Sequence, residues 1–176
     1  MVNEHDRILE AVKFSIQMEI DGKEYYLKIS QESSDELGEK LLRNMSAEED
    51  IHRRKFVQIY EAIRNEKAWP AVVLQPDGSK RLRTVFAQAL EKVGSRAKAL
   101  STELEVIQTA MRMESKSYDF YREQGKKTDY DAEKDFYRKL ATEEREHHQL
   151  LGNYYEYLKD PAGYFVQKEH PSLDGG

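Results

Sequence analysis

The sequence contains no cysteine among its 176 residues. This absence excludes disulfide bonds, thiolate zinc sites, iron–sulfur clusters and cysteine nucleophiles. No apolar run approaches the roughly 18 to 20 residues that a membrane-spanning helix needs, and residues 1–7 lack the basic and then apolar pattern of a signal peptide. We therefore expect a soluble, cytoplasmic protein that has no membrane partner.

An excess of basic residues is also absent, because 28 Lys and Arg face 33 Asp and Glu and give a net charge of −5. A nucleic-acid groove would require clustered basic residues on a basic domain, so no nucleic-acid partner is expected. The length fits one domain with a sizeable core. We predict a single domain over residues 1–176.

The sequence repeats itself at an offset of 95 residues without a gap. Glu49 and His52 form a Glu-x-x-His pair, which recurs at Glu144 and His147. The same offset aligns Leu9 with Leu104, Met18 with Met113, Glu19 with Glu114, Tyr26 with Tyr121 and Tyr60 with Tyr155. One Glu-x-x-His pair is weak evidence in a chain with 35% charged residues, but the repeat singles out four glutamates and two histidines.

Apolar residues spaced three and four apart predict four long helices. These helices cover about residues 4–32, 35–66, 102–125 and 129–159. N-cap residues at 33–35, a capping box at 102–105 and a stop at Gly125 mark their ends. The fold class is therefore all-α, a ferritin-like four-helix bundle built from two helix hairpins, with repeat halves at about 4–66 and 100–160.

The connection over residues 67–100 is long enough to run back along such a bundle. We expect residues 71–74 to be extended or irregular, 75–79 to form a turn, and 82–93 to form a short helix closed near Gly94. This crossover is expected to set the third long helix parallel to the first. The tail, residues 161–176, lacks a helical period and is expected to pack along the surface or to reach a neighbour.

Each long helix carries a glutamate where its apolar stripe requires a core residue. The resulting set is Glu19, Glu49, Glu114 and Glu144, with His52 and His147 one turn after the second and fourth of these. A buried carboxylate must be paired, protonated or bound to metal, because the burial of a bare charge is very costly. One Glu from each of two helices and a Glu-x-x-His from each of the others is the ligand set of di-iron and di-manganese carboxylate bundles.

Several of these features together resemble a known family. They are Met18-Glu19 through Tyr25-Tyr26, Met113-Glu114 through Phe120-Tyr121, both Glu-x-x-His pairs, and the run from Asp160 to Phe165. In this combination the chain resembles the rubrerythrin-like branch of the ferritin-like superfamily over nearly its whole length. The resemblance implies a non-haem centre of two iron ions, a peroxide or dioxygen substrate, and a homodimer. It implies as metal ligands Glu19, Glu49, His52, Glu114, Glu144 and His147.

The chain departs from that family in two respects. Rubrerythrins carry an additional carboxylate one turn after the glutamate ligand of the third long helix. Here that position is Ser117, and its counterpart in the repeat is Gly22. This difference weakens the expectation of redox-linked ligand exchange. The cysteine-ligated rubredoxin domain of rubrerythrins is missing, so electrons must come from an external donor protein. Manganese remains an alternative to iron, since sequence alone does not separate the two.

The leading hypothesis is a di-iron oxidoreductase that reduces hydrogen peroxide or dioxygen. The alternatives are a ferroxidase or iron-handling protein and a metal-free helical interaction module. Tyr26 and Tyr121 are candidates to hydrogen-bond a ligand or donate an electron, beside the simpler role of core tyrosines. His148 is a weaker candidate ligand than His147. The neighbours Glu48 and Glu143 are expected to face solvent or another helix.

Overall fold

The computed structural model describes residues 3–66, 68–72, 74, 78–96 and 101–169. All regular structure in this part of the chain is helical. The helices are α1 (Glu4–Gln31), α2 (Glu36–Glu66), α3 (Gly78–Val93), α4 (Ser101–Lys127), α5 (Asp131–Lys159) and α6 (Pro161–Glu169), with a short 3₁₀ turn at Gly94–Arg96. The predicted all-α, ferritin-like bundle is confirmed, and none of the described helices is long and apolar enough to cross a membrane.

The four long helices form two hairpins, because α1 packs mainly on α2 and α4 packs mainly on α5. Asp35 begins α2 as the sequence predicts, since its Oδ1 accepts a hydrogen bond of 2.8 Å from the backbone N–H of Gly38. The predicted stop at Gly125 is wrong, because α4 continues to Lys127. Gly125 faces α5, where a Cβ at this position would make an ordinary contact 3.5 Å from Cβ of Tyr137.

The crossover contains α3, which lies against α2 and α5. This helix begins at Gly78, four residues before the predicted start, and ends at Gly94, whose positive φ of 59° supports the predicted closure there. Residues 71, 72 and 74 are non-helical as predicted, while residues 73 and 75–77 of the predicted irregular segment and turn lie outside the described residues. The crossover therefore covers one side of the bundle with a helix.

The predicted orientation of the third long helix is wrong, because α4 runs antiparallel to α1. Tyr25, near the end of α1, donates a hydrogen bond of 2.9 Å to the carbonyl of Val106, near the start of α4. Tyr121, late in α4, contacts Glu19 in the middle of α1. The crossover returns the chain to the end of the bundle where α2 began, and α4 then runs in the direction of α2.

The C-terminal segment was predicted to lack a helix, but Pro161–Glu169 forms α6. Oδ1 of Asp160 caps this helix by accepting a hydrogen bond of 2.9 Å from the backbone N–H of Gly163, and Pro161 occupies the favoured first helical position. The rings of Tyr164 and Phe165 pack on Tyr157 with centroids 5.8 and 6.3 Å away. These short-range signals were present in the sequence, and residues 170–176 lie outside the described residues.

Two apolar clusters form the core, one on each side of the predicted ligands. Along α2, Met45 belongs to one cluster and Phe56 to the other, and Glu49 and His52 lie between them. The same order holds in α1, α4 and α5. Because burial of each large apolar side chain stabilises the fold by about 1.5–3 kcal/mol, the two clusters can hold a polar layer between them.

Candidate metal centre

The six predicted ligands come together in the middle of the bundle, and all six are buried. The exposed fraction is 4% or less for each of Glu19, Glu49, His52, Glu114, Glu144 and His147. Among the described residues they form two overlapping groups whose candidate ligand atoms all lie within 4.8 Å of one another. One group is Glu19, Glu49, His52 and Glu144, and the other is Glu49, Glu114, Glu144 and His147.

Both histidines present Nδ1 to the carboxylates. Nδ1 of His52 lies 3.3 Å from Oε1 of Glu144 and 3.4 Å from Oε2 of Glu19. Nδ1 of His147 lies 3.4 Å from Oε1 of Glu49 and 3.7 Å from Oε2 of Glu114. The two rings are nearly parallel, with 17° between their planes and centroids 5.9 Å apart. The arrangement therefore has the approximate twofold symmetry that the repeat predicts.

Each of the six side chains carries one buried atom at the centre that has no hydrogen-bond partner. These atoms are Oε2 of Glu19, Oε1 of Glu49, Nδ1 of His52, Oε2 of Glu114, Oε1 of Glu144 and Nδ1 of His147. A buried polar atom left unpaired costs about 1–3 kcal/mol, so six at one place need an explanation. Four carboxylate oxygens and two imidazole nitrogens are donors that suit iron or manganese. The residues present thus fit a two-metal centre.

Two tyrosines bind the outer carboxylates across the hairpins. The hydroxyl of Tyr26 donates a hydrogen bond to Oε1 of Glu114, and that of Tyr121 donates to Oε1 of Glu19. Burial, together with the negative charge of the bonded carboxylate, raises the pKa of both phenols well above 10. Both hydroxyls therefore stay protonated and act as donors, in the first of the two roles considered from the sequence.

A family model described as rubrerythrin matches residues 10–155, a range that contains all six side chains. The chain belongs to the rubrerythrin family. Comparisons with curated proteins and with solved structures return no significant match. Membership of this family and the buried Glu and His cluster fit a di-iron protein of the oxidoreductase type.

In this member of the rubrerythrin family, the two carboxyls shared by both groups, Glu49 and Glu144, have strongly raised pKa values. Burial, followed by repulsion from neighbouring carboxylates, raises the pKa of both Glu49 and Glu144 well above the usual value. Burial also acts on Glu114, but the imidazole of His147, whose Nδ1 lies 3.7 Å from Oε2 of Glu114, outweighs it and lowers the pKa of that carboxyl. The metal-free centre therefore favours protons on its central carboxyls, where cations would replace them.

Burial and the neighbouring carboxylates act in opposite directions on the pKa values of the two imidazoles. Burial alone would lower the pKa of both rings, but the surrounding carboxylates outweigh it. Glu19, Glu143 and Glu144 thereby raise the pKa of His52 well above 6.5, and Glu114, Glu49 and Glu144 do the same for His147. Metal binding must displace these protons as well, because the imidazole binds metal in its neutral form.

Sequence reasoning missed the importance of Glu48 and Glu143, which are buried and face other helices. Oε2 of Glu143 accepts a hydrogen bond of 2.7 Å from Nε2 of His52. Its repeat counterpart, Glu48, accepts from Arg81 on α3 instead. Nε2 of His147 consequently has no hydrogen-bond partner among the described residues. The identity of Glu48 and Glu143 at the 95-residue offset was the signal that could have found them.

The other candidates lie outside the centre. His148 is half-buried and belongs to neither group among the described residues, whereas His147 belongs to one. Ser117 is half-buried and supplies no carboxylate. Gly22 also supplies no carboxylate, and a Cβ there would lie at an ordinary contact distance of 3.5 Å from Oε2 of Glu49.

A cavity of about 630 Å³ reaches the centre from the side of the crossover. His52 and Glu143 line it, together with Glu48, Lys55 and Arg81. Both carboxylates in this lining have partners, since Glu48 binds Arg81 and Glu143 binds His52. The cavity is therefore a polar approach to one ligand histidine, and it contains two cationic side chains.

Proposed function

We propose that the six residues hold two iron ions and that the protein reduces hydrogen peroxide, or dioxygen, with electrons from an external donor protein. The observation that supports this most is the set of six unpartnered donor atoms, one on each proposed ligand, in two groups that share Glu49 and Glu144. Two divalent ions would neutralise the four carboxylates. Manganese offers the same charge and similar ligand preferences, and remains the alternative metal.

The residues divide into distinct roles under this proposal. Glu49 and Glu144 belong to both groups, whereas Glu19 and His52 belong to one group and Glu114 and His147 to the other, and together these six residues would hold the two ions. Tyr26 and Tyr121 hold the outer carboxylates in place. Bound iron would supply the two electrons that reduce one peroxide to two waters, and this reaction also consumes two protons. The apolar clusters on both sides exclude bulk water from this layer.

A ferroxidase or iron-handling function is the alternative to the oxidoreductase. The cavity beside His52 would admit either substrate, because the carboxylates of Glu48 and Glu143 balance the charges of Lys55 and Arg81 in its lining, and Glu48 is bonded to Arg81. Sizing tests the difference, since a dimer is expected and a large cage that gains a mineral core would support iron storage.

The first experiment measures iron per chain after expression in iron-supplemented cells, followed by peroxide oxidation of the chemically reduced protein. We expect about two irons per chain and rapid loss of the reduced state with one equivalent of peroxide. Glu144→Ala should lose most of the metal, because it removes a shared ligand. Glu156→Ala is the matched control, since Glu156 lies on the same helix and is exposed.

Two results would contradict the proposal. Absence of metal after anaerobic reconstitution with Fe²⁺ would favour the metal-free interaction module. A metal-loaded, reduced protein that is indifferent to peroxide and to dioxygen would exclude the proposed reaction while leaving the metal site intact.

A further inference from the structure

A second cavity, of about 490 Å³, lies between α4 and α5 and is lined only by residues of these two helices. Its lining contains no carboxylate. Five cations surround it: Arg122, Lys126, Lys134, Arg138 and Arg145. This concentration contrasts with the net charge of −5 of the whole chain, so a favourable site for an anionic partner lies on an acidic protein.

All five cations are exposed, and three of them pair with carboxylates, among them Arg122 with Asp119. Lys134 and Arg145 are exposed, and neither forms an ion pair within the described ranges. Lys126 and Arg138 pair with exposed carboxylates, but their side chains are 61% and 74% exposed. Exposed pairs of this kind contribute roughly 0–1 kcal/mol, so a partner's carboxylates can compete for them.

Tyr121 connects this cavity to the metal centre. Its ring lines the cavity although the residue is fully buried, and its hydroxyl bonds to the proposed ligand Glu19. A single side chain therefore spans the distance from the basic surface to a carboxylate of the centre. The cavity beside His52, by contrast, lies on the side that α3 covers.

The internal repeat provides a comparison within the same molecule. Tyr26 binds Glu114 just as Tyr121 binds Glu19. The positions that correspond to the five cations at the 95-residue offset are Leu27, Gln31, Glu39, Arg43 and Asp50. One cation and two anions thus replace five cations, although the tyrosine–carboxylate bond is the same. The basic surface is not needed to position the tyrosine, so it serves something outside the chain.

We infer that this basic surface docks the external electron donor, and that the donor is a small carrier protein with an acidic face. The inference rests on the proposed function, which requires an electron donor. The sequence has no cysteine that could hold an iron–sulfur cluster for this purpose. Flexible, exposed cations suit a transient encounter that is steered by charge and weakened by salt. Electrons would enter beside Tyr121, one side chain from the centre.

The test uses flavodoxin as an acidic carrier and compares two double variants with the same change of charge. Arg138→Glu with Arg145→Glu reverses two of the five cations of the basic surface, and Lys40→Glu with Arg43→Glu reverses two cations on α2. Binding of oxidised flavodoxin to the metal-loaded protein is measured at 50 and 200 mM salt, and reduction of the centre by reduced flavodoxin is measured alongside. The first pair should weaken binding and slow reduction by about tenfold or more, and the second by less than about twofold.

Equal losses in both double variants, or no loss in the first, would overturn the inference. It would also be overturned if free flavin mononucleotide lost affinity for the Arg138/Arg145 variant while flavodoxin did not, because the occupant would then be a small anion. Peroxide oxidation of the dithionite-reduced protein separates the two proposals. Failure of that reaction with flavodoxin binding intact contradicts the proposed function and leaves the docking surface standing.

Discussion

Glu143→Gln should weaken metal binding selectively at the position that His52 completes. Oε2 of Glu143 accepts a hydrogen bond of 2.7 Å from Nε2 of His52, which fixes Nδ1 towards the centre and makes the ring a better ligand. Gln keeps the size of the side chain but removes its charge. Loss of such a partner typically lowers metal affinity by about 10- to 100-fold, or about 1.4–2.7 kcal/mol.

Glu48→Gln is the matched control because the repeat pairs Glu48 with Glu143. Glu48 binds Arg81 and leaves Nε2 of His147 without a hydrogen-bond partner in the described part of the chain, so loss of the Glu48 charge should change metal affinity by less than about threefold. Two inequivalent binding steps are therefore expected in the unmodified protein. In Glu143→Gln the tighter step should move towards the weaker one.

The assay is titration of the metal-free protein with Co²⁺, monitored by its visible absorption in competition with a chelator. Circular dichroism confirms that each variant remains folded. Equal weakening of metal binding by both variants would refute the reasoning, because the two glutamates would then act only through their negative charge and not through a bond to His52. Unchanged affinity in Glu143→Gln would show that the negative charge of Glu143 does not affect the metal.

Three further outcomes follow from burial and charge. Gly38→Ala should lower the melting temperature by several degrees, since the new Cβ would lie 2.1 Å from the hydroxyl of Tyr154 and relief of such overlap costs about 1–3 kcal/mol. Gly152→Ala, which meets only an ordinary contact, should leave the melting temperature unchanged or raise it. In the metal-free protein, the free energy of unfolding should fall as pH rises above about 5, because the raised pKa values of Glu49, Glu144 and both site histidines give stability that is lost as pH rises through them. Chemical denaturation at several pH values measures it, and a rise over that range would contradict the assignment. Glu49→Gln should abolish metal binding, because it removes a shared carboxylate, and should raise the melting temperature of the metal-free protein, because Gln is neutral without the cost of protonating a buried carboxyl; a lower melting temperature would contradict the raised pKa of Glu49.

The positions of the candidate ligands were predictable because a carboxylate on an apolar stripe is conspicuous. Glu19 and Glu114 interrupt stripes of spacing three and four, and the 95-residue repeat links them to each other. Periodicity fixes which face of a helix turns inward, so it places these side chains in the core. Periodicity does not indicate which carboxylates belong to both groups of candidate ligands, since that depends on how the two hairpins pack.

Other features depend on contacts that a helical period does not describe. The antiparallel arrangement of α1 and α4 follows from the end of the bundle at which the crossover finishes. The spacing of apolar residues does not indicate which end that is. Glu143 lies about 100° from its neighbour around the helix, a direction that can face solvent on an isolated helix. In this bundle the same direction faces His52 on α2.

The repeat is most informative where its two halves differ. The ligands and their tyrosines are the same in both halves, so the approximate symmetry of the centre is encoded twice. The crossover breaks that symmetry, because Arg81 on α3 engages Glu48 while Glu143 remains with His52. The basic surface breaks it again, since Arg145 has Asp50 as its counterpart. Under the proposed function, substrate and donor would reach the centre from different directions, because α3 lies on one side of it and the basic surface between α4 and α5 on another.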